Sequence, residues 1–196
     1  MRVSDARYSR DRQRFDLALR LIQHEARTLT IRDWTGLSDD RIRKLYRSYV
    51  MNDGVQRVRR HRGKSPRQAA FFFRNAETNF HAAQLASVFV VYGLLCGSDV
   101  KLEAGYRVGS LESGMRVCQA YEAYTELHAP ANISFEHAWF LLRALSRREE
   151  LGVARCAECG GMRLRDLLAK RRPWCGNCPA WGGEGAAGDN ESGVPC

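Results

Sequence analysis

Two C-x-x-C pairs stand near the C-terminus, Cys156-Ala157-Glu158-Cys159 and Cys175-Gly176-Asn177-Cys178, with fifteen residues between them. A thiolate is both a nucleophile for disulfide exchange and a zinc ligand, so the second pair, which follows Trp174, suits a redox dithiol or half of a metal site. A redox dithiol needs a helix N-terminus behind it to lower a thiol pKa, and Pro179-Ala180-Trp181-Gly182-Gly183 begins a helix poorly. That reading also leaves Cys156 and Cys159 without a role. The C-x2-C-x15-C-x2-C spacing instead predicts one structural zinc ion held by Cys156, Cys159, Cys175 and Cys178, two tight turns bringing four sulfurs to about 2.3 Å from the metal. Gly160, Gly161 and Gly176 provide the backbone freedom that such turns use. Four sulfur ligands leave no position for water, which excludes a catalytic zinc.

The other chemistry-bearing residues point away from an enzyme. His24, His61, His81, His128 and His137 show no spacing with carboxylates or a serine that suggests a triad or an H-E-x-x-H site, and there is no phosphate-binding glycine loop. His81, on an apolar stretch, reads as a satisfied core histidine. Cys96 and Cys118 read as buried apolar fillers, and Cys196, at the end of a polar tail, has no assigned role. Seven cysteines without an export signal argue against a disulfide framework.

Charge supplies the second chemistry. The chain carries a formal net charge of +9 over 196 residues, mostly as arginine. An excess of this sign suits a polyanionic partner, because each neutralised phosphate releases counterions. The basic residues concentrate at Arg41, Arg43, Lys44 and Arg47, at Arg57, Arg59, Arg60 and Arg62 in a connection running to Arg67, and at Arg155, Arg163, Arg165, Lys170, Arg171 and Arg172 around the cysteines. The first two groups are the candidate DNA contacts.

The elements that must carry these residues are helical. Phe15, Ala18, Leu19, Ile22, Ala26 and Leu29 recur at helical spacing and predict a first amphipathic helix. Thr35-Gly36-Leu37-Ser38 is the turn, and Ser38 with Asp39 and Asp40 the capped start, of a second helix whose apolar stripe is Ile42, Leu45, Tyr46 and Tyr49. A glycine, an apolar residue and an N-capping serine open many recognition helices, although the same pattern serves a plain helical hairpin and Arg32 occupies a place where alanine is usual. Ser65-Pro66-Arg67-Gln68 predicts a capping box that opens an apolar helix to Leu95. A helix or helix pair follows from about Asp99 to Leu127, interrupted near Gly109 or Gly114, and Ser134 caps a last one with Phe135, Ala138, Trp139, Leu142 and Leu145 inward. No strand pattern precedes Cys156.

The expected fold is therefore mainly α. It comprises a basic N-terminal arm (1–14), a helical domain (15–152) with a helix-turn-helix-like N-terminal part, a small C-terminal four-cysteine zinc-binding module (153–180) and a disordered Gly-rich tail (181–196). The apolar run 82–96 is broken by Gln84, Ser87 and Gly93 and is shorter than the roughly 20 residues of a membrane span, so no membrane is expected as a partner. The charged N-terminus lacks the apolar core of a signal peptide and places the protein in the cytoplasm.

Three segments together resemble the FlhC family of flagellar master activators. They are LALRLIQHEARTLTIRDWTGLSDDRIRKLYRSY at 17–49, NFHAAQLASVFVVYGLLCG at 79–97, and the stretch from Ala138-Trp139 through CAECGG to the second cysteine pair. The chain departs from that pattern over about 97–118 and in the tail. The resemblance implies a helical body with a four-cysteine zinc site and hetero-oligomeric assembly with a small helical FlhD-like partner. It also implies promoter DNA on that assembly and recruitment of RNA polymerase. FlhC-like subunits also activate transfer genes of conjugative elements, which is the alternative of the same class; a zinc-containing RNA- or ribosome-associated protein is the alternative of another.

Overall fold

A computed structural model describes residues 2–50, 58–61, 63–98, 101–156, 158–169 and 178. Arg57, Arg62, Cys175 and the Gly-rich tail lie outside these residues. The described elements are six α-helices, α1 (Arg2–Gln23), α2 (Thr28–Thr35), α3 (Asp39–Leu45), α4 (Ala76–Val91), α5 (Leu111–Leu127) and α6 (Phe135–Arg147), with two antiparallel hairpins, β1 (Leu95–Ser98) with β2 (Lys101–Ala104) and β3 (Leu151–Arg155) with β4 (Met162–Asp166). A π turn (Tyr46–Val50) extends α3, and a 3-10 turn (Ala69–Phe73) precedes α4. No described helix is long and apolar enough to cross a membrane.

One core joins the helices. Trp34 of α2 is fully buried against Trp139 of α6, with ring centroids 4.9 Å apart, and Phe72, Phe89, Tyr124 and Phe135 are buried around it. Leu17, Leu21 and Ile22 bring α1 into the same core. Burial of large apolar side chains is worth roughly 1.5–3 kcal/mol each, so packing holds these short helices, several of which could not persist alone.

Caps decide the boundaries that the spacing reads well. Ser38 Oγ accepts from Arg41 N–H at 3.5 Å, and Ser134 Oγ accepts from His137 N–H at 3.4 Å, each at the expected start of its helix. Ile42, Leu45 and Tyr46 are buried as the stripe predicts.

Five expectations need correction. The first helix starts at Arg2, not Phe15, because the charged residues 7–14 form an exposed helical face that needs no apolar stripe, and Arg14 bonds Asp11 at 3.2 Å. It also stops at Gln23: Glu25 takes φ 58°, Ala26 turns inward and α2 begins afresh at Thr28, so two helices replace the expected one. The capping box at Ser65–Gln68 opens no α-helix. Gln68 is extended, Phe72 is drawn into the core by the 3-10 turn, and Asn75 caps α4 by accepting from Thr78 N–H at 2.8 Å. The body is not all helical either, since β1 and β2 fold back where a helix was expected from Asp99, and β3 is a further strand before Cys156, where none was expected. Leu95 and Leu102 point inward while Cys96 and Glu103 point out. Strands β1 and β2 are each only four residues long, too short for an alternating pattern to stand out. Cys96 is consequently exposed, not a buried filler, whereas Cys118 is fully buried and its thiol is pushed up to about 12 by that burial.

Gly114 lies inside α5 and does not interrupt it. A Cβ there would sit 2.7 Å from Leu17 Cδ2 and 3.3 Å from the Trp34 ring, so the residue lets α5 approach α1 and α2 closely.

Candidate functional site

The cysteine cluster sits at the turn end of the β3–β4 hairpin. Val153 and Leu164 are buried beneath it, with β3 against α6 and β4 against α4. Arg155 pairs with Met162 as the last register of the ladder, and the chain then turns through Cys156 to Gly161. Cys156 N–H donates to Gly161 C=O and Gly160 N–H donates to Cys156 C=O, both at 2.9 Å. Gly160 holds φ 67°, the left-handed conformation that closes such a turn at least cost without a side chain.

Cys178 returns to this turn from twenty-two residues along the chain. Its Sγ lies 3.6 Å from that of Cys156, and the sulfurs of Cys156, Cys159 and Cys178 all lie within 4.8 Å of one another. A disulfide is excluded at that distance. Sulfurs about 2.3 Å from a shared tetrahedral metal stand about 3.8 Å apart, so these three residues could hold a metal ion. The structure thus brings one member of the second pair to the first pair, while Cys175 lies outside the described residues.

The expected basic residues occupy α3 and the connection behind it. Gly36 closes α2 with φ 68°, its N–H donating to Arg32 C=O at 2.8 Å, and Leu37 and Ser38 lead directly into α3. Arg41, Arg43, Lys44 and Arg47 are exposed; Arg43 bonds Asp40 Oδ1 at 3.0 Å, and the other three form no ion pair with a described residue. Arg59 and Arg60 are exposed in the connection. Arg57 and Arg62 fall outside the described residues.

What the spacing does not reveal is how the connection is held. The break between α1 and α2 grips it. Glu25 Oε1 accepts from Arg59 N–H at 3.1 Å, and Glu25 Oε2 lies 2.7 Å from His61 Nε2. Arg27 Nη1 donates to Gly63 C=O at 2.8 Å, and Arg60 Nη2 donates to Thr28 Oγ1 at 3.4 Å. The Arg60 guanidinium also lies 5.2 Å over the ring of Tyr46, whose hydroxyl donates to Ala26 C=O at 3.2 Å. No local motif marks Glu25, Arg27 or His61, because each hydrogen bond they make with the connection or across it spans thirty-four residues or more.

A second, half-buried network ties α1 to α5. Arg20 engages both carboxylate oxygens of Glu122, and His24 Nε2 lies 2.8 Å from Glu122 Oε1 while its ring stacks on Phe135. The Arg20 hydrogen bond holds the Glu122 carboxyl below its usual range, and burial lowers His24. These groups join α1 to α5.

A family model described as "Flagellar transcriptional activator (FlhC)" matches residues 5–185. No curated protein matches the chain. The matched span runs from within α1 through β4 and takes in the exposed basic residues of α3 and the connection, and both cysteine pairs. The chain therefore belongs to the FlhC family of flagellar transcriptional activators, a family of DNA-binding regulators and not of enzymes.

Proposed function

We propose that this chain is the FlhC-type subunit of a hetero-oligomer with a small helical FlhD-like partner, binding flagellar promoter DNA in the cytoplasm and recruiting RNA polymerase. The observation that carries this reading is that a single family match spans both the exposed basic helix behind the Gly36 turn and the cysteine cluster. Arg41, Arg43, Lys44 and Arg47 on α3 and Arg57, Arg59, Arg60 and Arg62 on the connection grip phosphates, and a few base contacts supply specificity. Cys156, Cys159, Cys175 and Cys178 are the ligands of one structural zinc ion. Zinc would supply the rigidity that a hairpin of five-residue strands lacks, fixing Arg155, Arg163 and Arg165 on a defined surface.

The test is co-expression with an FlhD-type protein, followed by mass, metal content and footprinting of the same complex on flagellar and conjugative-transfer promoters. Protection confined to a flagellar promoter, and one zinc per chain, are expected. Replacing Arg41, Lys44 and Arg47 with alanine should flatten the slope of log affinity against log salt by about three. An unchanged slope would remove α3 from the interface.

A further inference from the structure

We infer that Glu25 is a positioning residue: it fixes the arginine-rich connection against the end of α3, so that the two basic segments form one surface for the phosphates of a single duplex. This rests on the reading that the connection contacts DNA.

Three observations carry it. First, Glu25 binds the connection through the Arg59 backbone N–H and the His61 ring, and not through a guanidinium. Its carboxylate therefore sets the path of the segment and leaves the Arg59 side chain exposed and without a described partner. Second, the same turn roots α3, through Tyr46 hydroxyl to Ala26 C=O, and Arg60 lies over that Tyr46 ring. Tyr46 is followed directly by Arg47, so the turn at 25–28 is where both basic segments are referred to one frame. Third, Glu25 occupies the left-handed region at φ 58°, where a side chain other than glycine is strained. That conformation is set by the turn that ends α1, where Glu25 N–H donates to Ile22 C=O at 2.9 Å and Ala26 N–H to Leu21 C=O at 3.0 Å, and it places the carboxylate at the helix end, where the connection passes.

The strain also supplies the test. Glu25→Gly removes the carboxylate and relieves the backbone, so the variant should melt no lower than the native protein. With the full chain co-expressed with an FlhD-type subunit, and a flagellar promoter duplex as probe, E25G should bind on the order of tenfold more weakly. The slope of log affinity against log salt should be flatter by about two, the contribution of Arg59 and Arg60. The R59A/R60A variant should reproduce both effects, and adding E25G to it should change nothing further. E25Q, which keeps one acceptor and the strained backbone, should fall between. Native-like binding by E25G alongside weakened R59A/R60A overturns the positioning role, as does an additive loss in the combined variant, which would mark Glu25 as merely structural. Native-like binding by R59A/R60A overturns instead the reading that the connection touches DNA.

Discussion

Cys156 and Cys159 share one turn and are joined by Cys178 from twenty-two residues along the chain, whereas Glu25 meets His61, and Arg27 meets Gly63, across thirty-six. The cysteine cluster stands on a small module: its hairpin has few buried residues of its own beyond Leu151, Val153 and Leu164. The basic face is assembled at long range and depends on the body: its frame is the buried Trp34, Tyr124 and Phe135 core and the contacts of Glu25, Arg27 and Thr28. A metal can stabilise a small module directly, while a surface of like charges must be imposed by structure that has already folded.

The largest expected effect separates the two regions. Replacing Cys156, Cys159 or Cys178 with serine should abolish zinc retention, whose apparent free energy in small zinc modules is on the order of 10 kcal/mol. Protease should then cleave within 156–169 while the helical circular dichroism signal persists. Retained zinc and unchanged protection would remove the site. Trp34→Ala attacks the other region. It empties a fully buried position between α2, α5 and α6 and should cost about 3–5 kcal/mol in denaturant unfolding. A loss under about 1 kcal/mol would mean that the body does not rest on this core.

Acid should weaken the body by a route the cysteine cluster does not share. The folded state lowers the His24 pKa, so protonation favours the unfolded chain and stability should fall as pH drops below the unfolded value of about 6.5. Glu122 is also lowered, so its contribution is present above the unfolded value of about 4.3 and is lost as pH falls through the folded one. Melting temperature against pH for the native protein and E122Q tests this. The variant should lose the acid-range step and, without its partner, its His24 should resist protonation further, steepening the decline below about 6.5. An unchanged profile would disprove the coupling. The smallest effect falls on α3 of the basic face. Ser38→Ala removes a single cap with a long 3.5 Å bond and should cost about 0.5–1 kcal/mol in thermal unfolding, with zinc content unchanged.

Particular elements show where sequence reasoning succeeds. Ser38 and Ser134 cap where expected because a cap is a contact between residues three apart, written into the local order of side chains. The break at Glu25 escaped because Ala26 and Leu29 continue the helical spacing, and only packing decides that Ala26 should turn inward while Leu29 stays exposed. The capping box at Ser65 failed because the core claims Phe72, a demand that outweighs a local preference worth about 1 kcal/mol. Cys96 was misplaced because its burial depended on an element type that its own neighbours could not specify.

Residue type and spacing alone determined that this chain is mainly helical, that four cysteines stand at zinc-ligand intervals, and that its positive charge is gathered on α3 and the segment after it. Those properties follow from interactions among near neighbours, whose energies are settled before the chain closes. Only the tertiary structure decided that Cys178 returns to Cys156, that a hairpin interrupts the helices, and that Glu25 and Arg27 hold the connection in place. The cysteine and connection contacts join residues twenty or more apart, and their loop-closure cost is met only when the whole core forms, while the hairpin pairs residues nine or fewer apart and is selected by the burial of Leu95 and Leu102.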